Sequence, residues 1–305
     1  MTGLHRYIAE EIATDHAEGL LTRRETLRRL AMLGLSGTAA AALIAACSRP
    51  SDSAGKPAGS TSAPGATSSP AVQPPGMAGA LRSSPITLPG PQGQLQAAWA
   101  QAVNPKGGVL VIHENKGLTD WVSSVAGRFA GAGYTALAID LLSEKGGTGA
   151  FPDPAQATAA LAAAAPEQMI RDLNAGVGHL RINVPGRKIG VVGFCFGGGL
   201  VWRLLGAGAL GVSAAVPFYG PLPDHPDFTE AKAAVLAIYG ALDARVTGSE
   251  PAARAALDRA GLVHDVIVEP DADHAFFNDS GPRYNGVAAA DAWQRTLDWF
   301  GRYLS

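Results

Sequence analysis

The 305-residue chain has only two cysteines, Cys47 and Cys195, and almost no net charge. A net charge of −2 provides no broad basic surface of the kind that binds nucleic acid, so no nucleic-acid partner is expected. A disulfide between the two cysteines would join the N-terminal segment to the middle of the chain, so we expect no disulfide framework. No internal repeat is visible. Each cysteine therefore needs its own explanation.

The N-terminal segment carries paired arginines before a mildly apolar stretch. Residues 22–28 read TRRETLR, and residues 30–47 are rich in Ala, Leu and Gly and end in Ile-Ala-Ala-Cys47. This pattern resembles a twin-arginine export signal that ends in a lipobox, although Thr26 stands where a bulky apolar residue is usual. It predicts an export signal over residues 1–47, with Cys47 lipidated on the extracytoplasmic face. The alternative is a cytoplasmic protein whose leader stays uncleaved.

A tract of Ser, Ala, Gly and Pro follows the leader. Residues 48–80 contain almost no charge and few large apolar side chains. Such a composition cannot bury enough surface to offset the entropy of ordering, which predicts a disordered linker. The remaining residues, 81–305, are then expected to form one globular domain, with the lipid as the only membrane attachment.

Within that domain, short apolar runs alternate with segments of helical composition. This alternation predicts an α/β fold with a doubly wound, mostly parallel sheet and helices on both faces, opened by an antiparallel pair of strands. The predicted strands are 86–89, 95–101, 108–113, 134–139, 188–194, 212–218, 233–239 and 263–268. The predicted helices are 119–132, 154–182 with a break at Pro166, 196–205, 251–260 and 288–303.

The most informative motif lies between the strand at 188–194 and the helix at 196–205. Gly193-Phe-Cys195-Phe-Gly197 has the form glycine, any residue, nucleophile, any residue, glycine. In this arrangement a strained turn pushes the nucleophile above the sheet, and the glycines let helix and strand approach closely. The helix N-terminus lowers the pKa of a thiol placed there and offers N–H groups to an oxyanion. Cys195 is thus a candidate nucleophile, although a buried cysteine in a tight turn is the alternative.

A thiol nucleophile needs a base, and the base needs a carboxylate that orients it. Two strand-end loops supply them: Asp243 follows the strand at 233–239, and His274 follows the strand at 263–268. The chain order nucleophile, acid, base is that of the α/β-hydrolase fold. His113 also ends a strand and could reach the site. The rival acids are Asp271 and Asp273, which we interpret as loop and helix-entry residues.

The loop after the strand at 108–113 adds two candidates. The backbone N–H of Asn115 is placed to be an oxyanion donor together with that of Phe196. The neighbouring Glu114 would project toward the nucleophile. Its carboxylate should oppose thiolate formation unless it accepts the S–H hydrogen bond.

Four segments, GFCFGGG, VIHENKGL, GALDARV and DADHAFFNDSGPRYN, together resemble the dienelactone hydrolases over residues 84–303. The resemblance implies the α/β-hydrolase fold, with Cys195 as nucleophile, His274 as base and Asp243 as its orienting acid. It implies Glu114 as the carboxylate that holds the resting thiol and releases it when substrate binds. The family's reaction opens an enol-lactone through an acyl-cysteine, and no metal or organic cofactor is implied.

The chain departs from that family at the positions that grip a substrate carboxylate. Where the best-known members have arginines, this chain has Leu142-Ser-Glu144-Lys145 and Asn278. Lys145 and Arg283 are nearby cations, but neither stands at the matching position. Dienelactone itself is therefore a doubtful substrate, whereas ester or lactone hydrolysis is not.

The sequence predicts a monomeric, lipid-tethered hydrolase that opens small lactones or cleaves activated esters with a Cys-His-Asp triad. One alternative is a general carboxylesterase or thioesterase on the same fold. The other is a tethered binding protein without catalytic activity.

Overall fold

The computed structural model describes residues 3–47 and 73–305. The chain divides into two compact bodies. Of the described residues, the first takes 3–8 and 74–305, and the second takes 9–47 and 73. The first body begins earlier than the predicted domain start at residue 81. Residues 48–72 of the predicted linker lie outside the described residues.

The first body is built on one sheet. Among the described residues, the strands are β1 (Ser84–Gly90), β2 (Gly93–Ala100), β3 (Gly107–Ile112), β4 (Tyr134–Ile139), β5 (Ile189–Phe194), β6 (Val212–Phe218), β7 (Ala234–Gly240) and β8 (His264–Glu269). They are ordered β1-β2-β4-β3-β5-β6-β7-β8. β1 and β2 form the predicted antiparallel pair, and β3 to β8 run parallel to one another. The carboxyl ends of the parallel strands therefore meet at one edge, where a site is expected.

Helices cover both faces of this sheet. They are α4 (Asp120–Gly131), α5 (Pro154–Ala162), α6 (Pro166–Asn183), α7 (Phe196–Gly206), α8 (Ala244–Thr247), α9 (Glu250–Arg259) and α10 (Gly286–Tyr303). β4 lies on one side of β3, and β5 and β6 follow on the other side. The β3–β4 connection therefore runs along the sheet in the opposite direction to the β4–β5 and β5–β6 connections. Right-handed connections then place α4 on one face and α6 and α7 on the other. The ring centroids of Phe129 on α4 and Trp293 on α10 lie 4.7 Å apart, so α4 and α10 pack on the same face of the sheet.

Local sequence explains where these elements begin. β3, β4 and β5 are buried along their whole length, which fits their continuous apolar runs. The hydroxyl of Thr119 accepts from the N–H of Val122 and caps α4, and Asn285 caps α10 in the same way. Pro166 occupies the first turn of α6, which places the predicted break between α5 and α6. The predicted mostly parallel α/β sheet is confirmed.

Within residues 3–47 the structure shows three helices. α1 (Gly3–Ala17) begins in the first body, and its remainder belongs to the second. α2 (Arg23–Met32) begins with the paired arginines, and α3 (Gly37–Cys47) ends at the half-buried Cys47. Over residues 3–47 and 73–305, no helix combines the length and apolar character needed to cross a membrane.

Candidate active site

Cys195 stands on a strained turn between β5 and α7. Its φ of 56° lies in a region that side-chain-bearing residues rarely adopt. The two flanking glycines make this turn possible. A β-carbon on Gly193 would lie 2.3 Å from the carbonyl oxygen of Gly197, and one on Gly197 would lie 2.4 Å from the carbonyl oxygen of Ile112. The turn therefore has the geometry of a nucleophile elbow, with the cysteine at the N-terminus of α7.

His274 and Asp243 meet at the same edge of the sheet. The Nδ1 atom of His274 lies 2.6 Å from Oδ2 of Asp243, and both side chains are buried. The other oxygen of Asp243 accepts from the N–H of Val246, 3.2 Å away. Burial by itself would raise the pKa of Asp243, but His274, Arg245 and these hydrogen bonds outweigh it and lower the pKa. An ionised Asp243 fixes the proton of His274 on Nδ1 and leaves Nε2 as an acceptor.

The thiol of Cys195 lies beside that acceptor. The sulfur and a ring nitrogen of His274 are within 4.8 Å of each other. The hydroxyl of Tyr7 lies between them, 3.2 Å from the sulfur and 3.0 Å from Nε2. Since Nε2 carries no proton in this tautomer, the tyrosine donates to His274 and accepts from the thiol. Three side chains that sequence reasoning placed on three different loops thus meet, with a fourth between two of them.

Glu114 is buried near the same edge, in the loop after β3. Its Oε2 accepts from the amide Nδ2 of Asn278 at 2.7 Å. Asn278 stands at one of the two positions where the resemblance predicted a substrate-gripping arginine. In this chain that position therefore contacts the carboxylate of Glu114 through a hydrogen bond from a neutral amide.

The two predicted oxyanion donors also lie in this region. Phe196 is the first residue of α7, where a backbone N–H has no acceptor within the helix. Asn115 is buried in the loop after β3, and β3 and β5 are neighbours in the sheet. Their roles as oxyanion donors remain predictions.

The alternative base, His113, and the two rival acids, Asp271 and Asp273, contact other groups. The ring of His113 is fully buried, with Nδ1 2.6 Å from the carbonyl oxygen of Glu114 and Nε2 accepting from the N–H of Leu141. It ties the loop after β3 to the end of β4, and burial lowers its pKa. The carboxylate of Asp273 accepts from the backbone N–H of His274. The carbonyl of Asp271 accepts from the Nδ2 amide of Asn285.

The candidate replacements for the missing arginines also have partners of their own. Lys145 donates to the carbonyl of Ala160 at 3.3 Å, and Arg283 lies 3.7 Å from the carboxylate of Asp273. Glu144 accepts from the amide of Gln168 on α6.

The aromatic side chains near His274 divide between core and site. Phe276 and Phe277 are fully buried. The ring of Phe277 stacks on that of Phe194 in β5, with the ring centroids 5.3 Å apart. The ring of Tyr219 lies edge-on to His274 with centroids 5.1 Å apart. The two phenylalanines therefore belong to the core that supports the base, and Tyr219 borders the base itself.

Sequence reasoning missed two residues at this edge. Tyr7 was assigned to the leader, and no pattern in the sequence connects it to the site. Arg245 lies two residues after Asp243 within GALDARV, and its guanidinium lies 4.5 Å from the centroid of the Tyr7 ring. The motif GALDARV places Arg245 near the site, but the spacing of the motif does not indicate that the guanidinium contacts an aromatic ring.

Known protein sequences resemble this chain over most of the first body. The sequence profile described as "Dienelactone hydrolase family" matches residues 95–304. A candidate carboxymethylenebutenolidase from Salmonella typhimurium is 31% identical over 249 residues, covering 74% of this chain and 89% of the relative. One from Escherichia coli O157:H7 is 34% identical over 216 residues, covering 67% of this chain and 79% of the relative.

Solved structures give the same result. The crystal structure of a candidate dienelactone hydrolase from Klebsiella pneumoniae has a TM-score of 0.65 at 29% identity. It covers 72% of this chain, which in turn covers 98% of that protein. The fold is the α/β-hydrolase fold, and the profile spans more than half of the sequence. The chain therefore belongs to the dienelactone hydrolase family, whose members are hydrolases of esters and lactones.

Proposed function

We propose that this enzyme opens small lactones or cleaves activated esters through an acyl-cysteine formed on Cys195. One observation carries the proposal. His274 is paired through Nδ1 with an ionised, buried Asp243, and its Nε2 and the Cys195 sulfur lie on the same side, where the Tyr7 hydroxyl contacts both. This is the arrangement that activates a nucleophile at neutral pH.

The mechanism follows from that arrangement. When an ester carbonyl lies against the elbow, His274 Nε2 takes the thiol proton and the Cys195 sulfur bonds to the carbonyl carbon. The N–H groups of Phe196 and Asn115 would hold the developing oxyanion. Collapse breaks the carbon–oxygen bond, and His274 returns its proton to the leaving alkoxide. His274 then deprotonates a water that attacks the thioester, which releases the acid and restores the thiol.

We also propose that Glu114 keeps the resting thiol protonated and withdraws when substrate binds. Its support is the burial of the carboxylate near the elbow and its hydrogen bond to Asn278. A buried carboxylate close to a sulfur opposes thiolate formation by charge repulsion.

The substrate should be uncharged near the acyl group. Two of the relatives reported above carry the name carboxymethylenebutenolidase, an activity on a lactone that bears a carboxylate. In this chain Glu144 and Asn278 stand where the resemblance predicts arginines, and both contact other residues. A carboxylate-bearing lactone would therefore find no matched cation at these two positions. General esters and thioesters fit the same chemistry.

The test is turnover of p-nitrophenyl acetate by the full chain and by its Cys195→Ala variant. The assay is repeated in a Tyr7→Ala background, because the Tyr7 hydroxyl occupies the position next to the thiol. We expect burst kinetics that disappear with Cys195→Ala. Equal slow rates with and without Cys195 would favour the alternative, a binding protein without catalysis. A panel of lactones, esters and thioesters then identifies the preferred acyl group.

We further propose that residues 1–47 are a twin-arginine export leader, that Cys47 is lipidated and that residues 48–80 tether the enzyme outside the cytoplasm. The paired arginines, the apolar segment and the lipobox-like end support this. Mass spectrometry of the protein from its native membrane tests it. An N-terminal diacylated Cys47 is expected, and an intact first residue would contradict cleavage.

A further inference from the structure

Residues of the N-terminal segment occupy the reaction centre. The hydroxyl of Tyr7 bonds to both the sulfur of Cys195 and Nε2 of His274, and its ring is buried. An ester carbonyl must reach the sulfur, and the base must face the thiol proton, for the proposed reaction to begin. With Tyr7 in place, His274 accepts from the phenol instead, and the thiol stays protonated.

The ring of Tyr7 has a partner of its own. The guanidinium of Arg245 lies 4.5 Å from the ring centroid, within the range of a cation–π contact. Arg245 is the second residue of α8 and Asp243 is the N-cap of the same helix, so the orienting acid and the ring-binding cation come from one short segment. A hydroxyl site and a ring site thus lie side by side, in the arrangement that a phenol requires.

The segment that carries Tyr7 has other ties to the first body as well, and the side chains of Leu4 and Ile8 are buried. Arg6 pairs with Asp224 at 2.7 Å, but both side chains are exposed, and such pairs contribute little. Leu4 packs against α7, where a β-carbon on Gly199 would come within 3.2 Å of its side chain. The hydrogen bonds and the ring contact of Tyr7 therefore act together with this packing to hold the tyrosine at the site.

We propose that Cys195, His274 and Arg245 form a phenol-binding site, and that Tyr7 fills it and inhibits the full-length enzyme. The binding site stands on the geometry alone, and the inhibition rests on the proposed function of Cys195. Cleavage before Cys47 would remove Tyr7 and open the site. The phenol released from an aryl ester would present the same ring and hydroxyl.

The experiment uses the full chain, with Tyr7→Ala, Tyr7→Phe and the control Tyr303→Phe on α10. Iodoacetamide alkylation of Cys195 is followed by peptide mapping, with Cys47 in the same chain as internal reference. Tyr7→Ala should speed alkylation of Cys195 by about tenfold or more, because the rate follows the open fraction. Tyr7→Phe, which keeps the ring and loses the hydroxyl, should lie between Tyr7→Ala and wild type. Tyr303→Phe should match wild type.

A rescue arm tests the ligand class. In the Tyr7→Ala chain, p-cresol should protect Cys195 from alkylation, and 4-methylanisole, which lacks the hydroxyl donor, should protect much less. Adding Arg245→Met should weaken the protection by p-cresol by several-fold. Equal protection by both compounds, or protection that is indifferent to Arg245→Met, would contradict a phenol site.

Ester turnover distinguishes this proposal from the hydrolase function proposed for Cys195, on which the inhibition rests. A rise in kcat/KM for p-nitrophenyl acetate in Tyr7→Ala, parallel to the alkylation rate, is expected. Unchanged alkylation in Tyr7→Ala overturns the proposal, and so does a lower kcat in Tyr7→Phe, since that makes the hydroxyl part of catalysis. Faster alkylation without ester turnover in any variant supports the binding site and overturns the hydrolase mechanism.

Discussion

Two buried carboxyl groups follow neighbouring strands at the same edge of the sheet, and their pKa values move in opposite directions. Asp243 follows β7 and faces His274, and its pKa is lowered although burial opposes this. Glu269 ends β8, and burial and the nearby Asp291 raise its pKa to about 7. Both side chains are at most 6% exposed. Burial alone therefore does not decide the charge of a carboxyl group here; its partner does.

The largest expected effect comes from removing the negative charge of Asp243. Asp243→Asn keeps the shape but allows His274 the wrong tautomer, so kcat/KM should fall by roughly 10³-fold or more. The matched control is Glu269→Gln, an equally small change on the next strand, which should leave kcat/KM within about twofold. Ester kinetics in the Tyr7→Ala background measures both. Similar losses for the two variants would mean that the edge as a whole, and not the His274 pair, carries activity.

A smaller effect is expected at Glu114, a third buried carboxylate, which accepts a hydrogen bond from the neutral amide of Asn278. Asn278→Ala removes the donor to Oε2, so the carboxylate loses its fixed position and kcat/KM should fall by about tenfold. Asn278→Asp places a second acid there and should reduce kcat/KM further. Wild-type kinetics in both variants would exclude a positioning role for Asn278.

The smallest effect is a pH dependence of stability caused by Glu269. Between about 4.5 and 7, this group binds a proton in the folded chain but not in the unfolded chain. Its stabilising contribution is therefore complete below this window and is lost as the pH rises through it. Glu269→Gln should flatten this part of the curve, measured by urea unfolding from pH 5 to 8. Asp291→Asn should shift the loss toward lower pH. A wild-type stability that rises across the same window more steeply than that of Glu269→Gln would contradict the raised pKa.

The architecture could be predicted from sequence because each signal was local. The fully buried strands appear as continuous apolar runs, and Gly193 and Gly197 mark the turn at Cys195 because no side chain fits there. The strand-end positions of Asp243 and His274 followed from the topology of a parallel sheet.

The remaining features depend on contacts between residues that are distant in the chain. Tyr7 and Cys195 are separated by 188 positions, and no periodicity or motif in α1 indicates that its tyrosine reaches a thiol. Asn278 stands where the resemblance predicts an arginine, but its hydrogen bond to Glu114 spans 164 positions. The raised pKa of Glu269 likewise depends on Asp291 from α10. Such partners become visible only when the strands and helices are assembled.

The central claim is that Cys195 carries the acyl group during turnover. The most direct measurement is rapid acid quenching of the Tyr7→Ala chain during reaction with p-nitrophenyl acetate, followed by peptide mass spectrometry. The account predicts one acetyl group on the peptide that contains Cys195, and little or none on that peptide in a His274→Gln variant, in which no base takes the thiol proton. Steady turnover with no acetyl group on Cys195, or turnover that persists in Cys195→Ala, would contradict it.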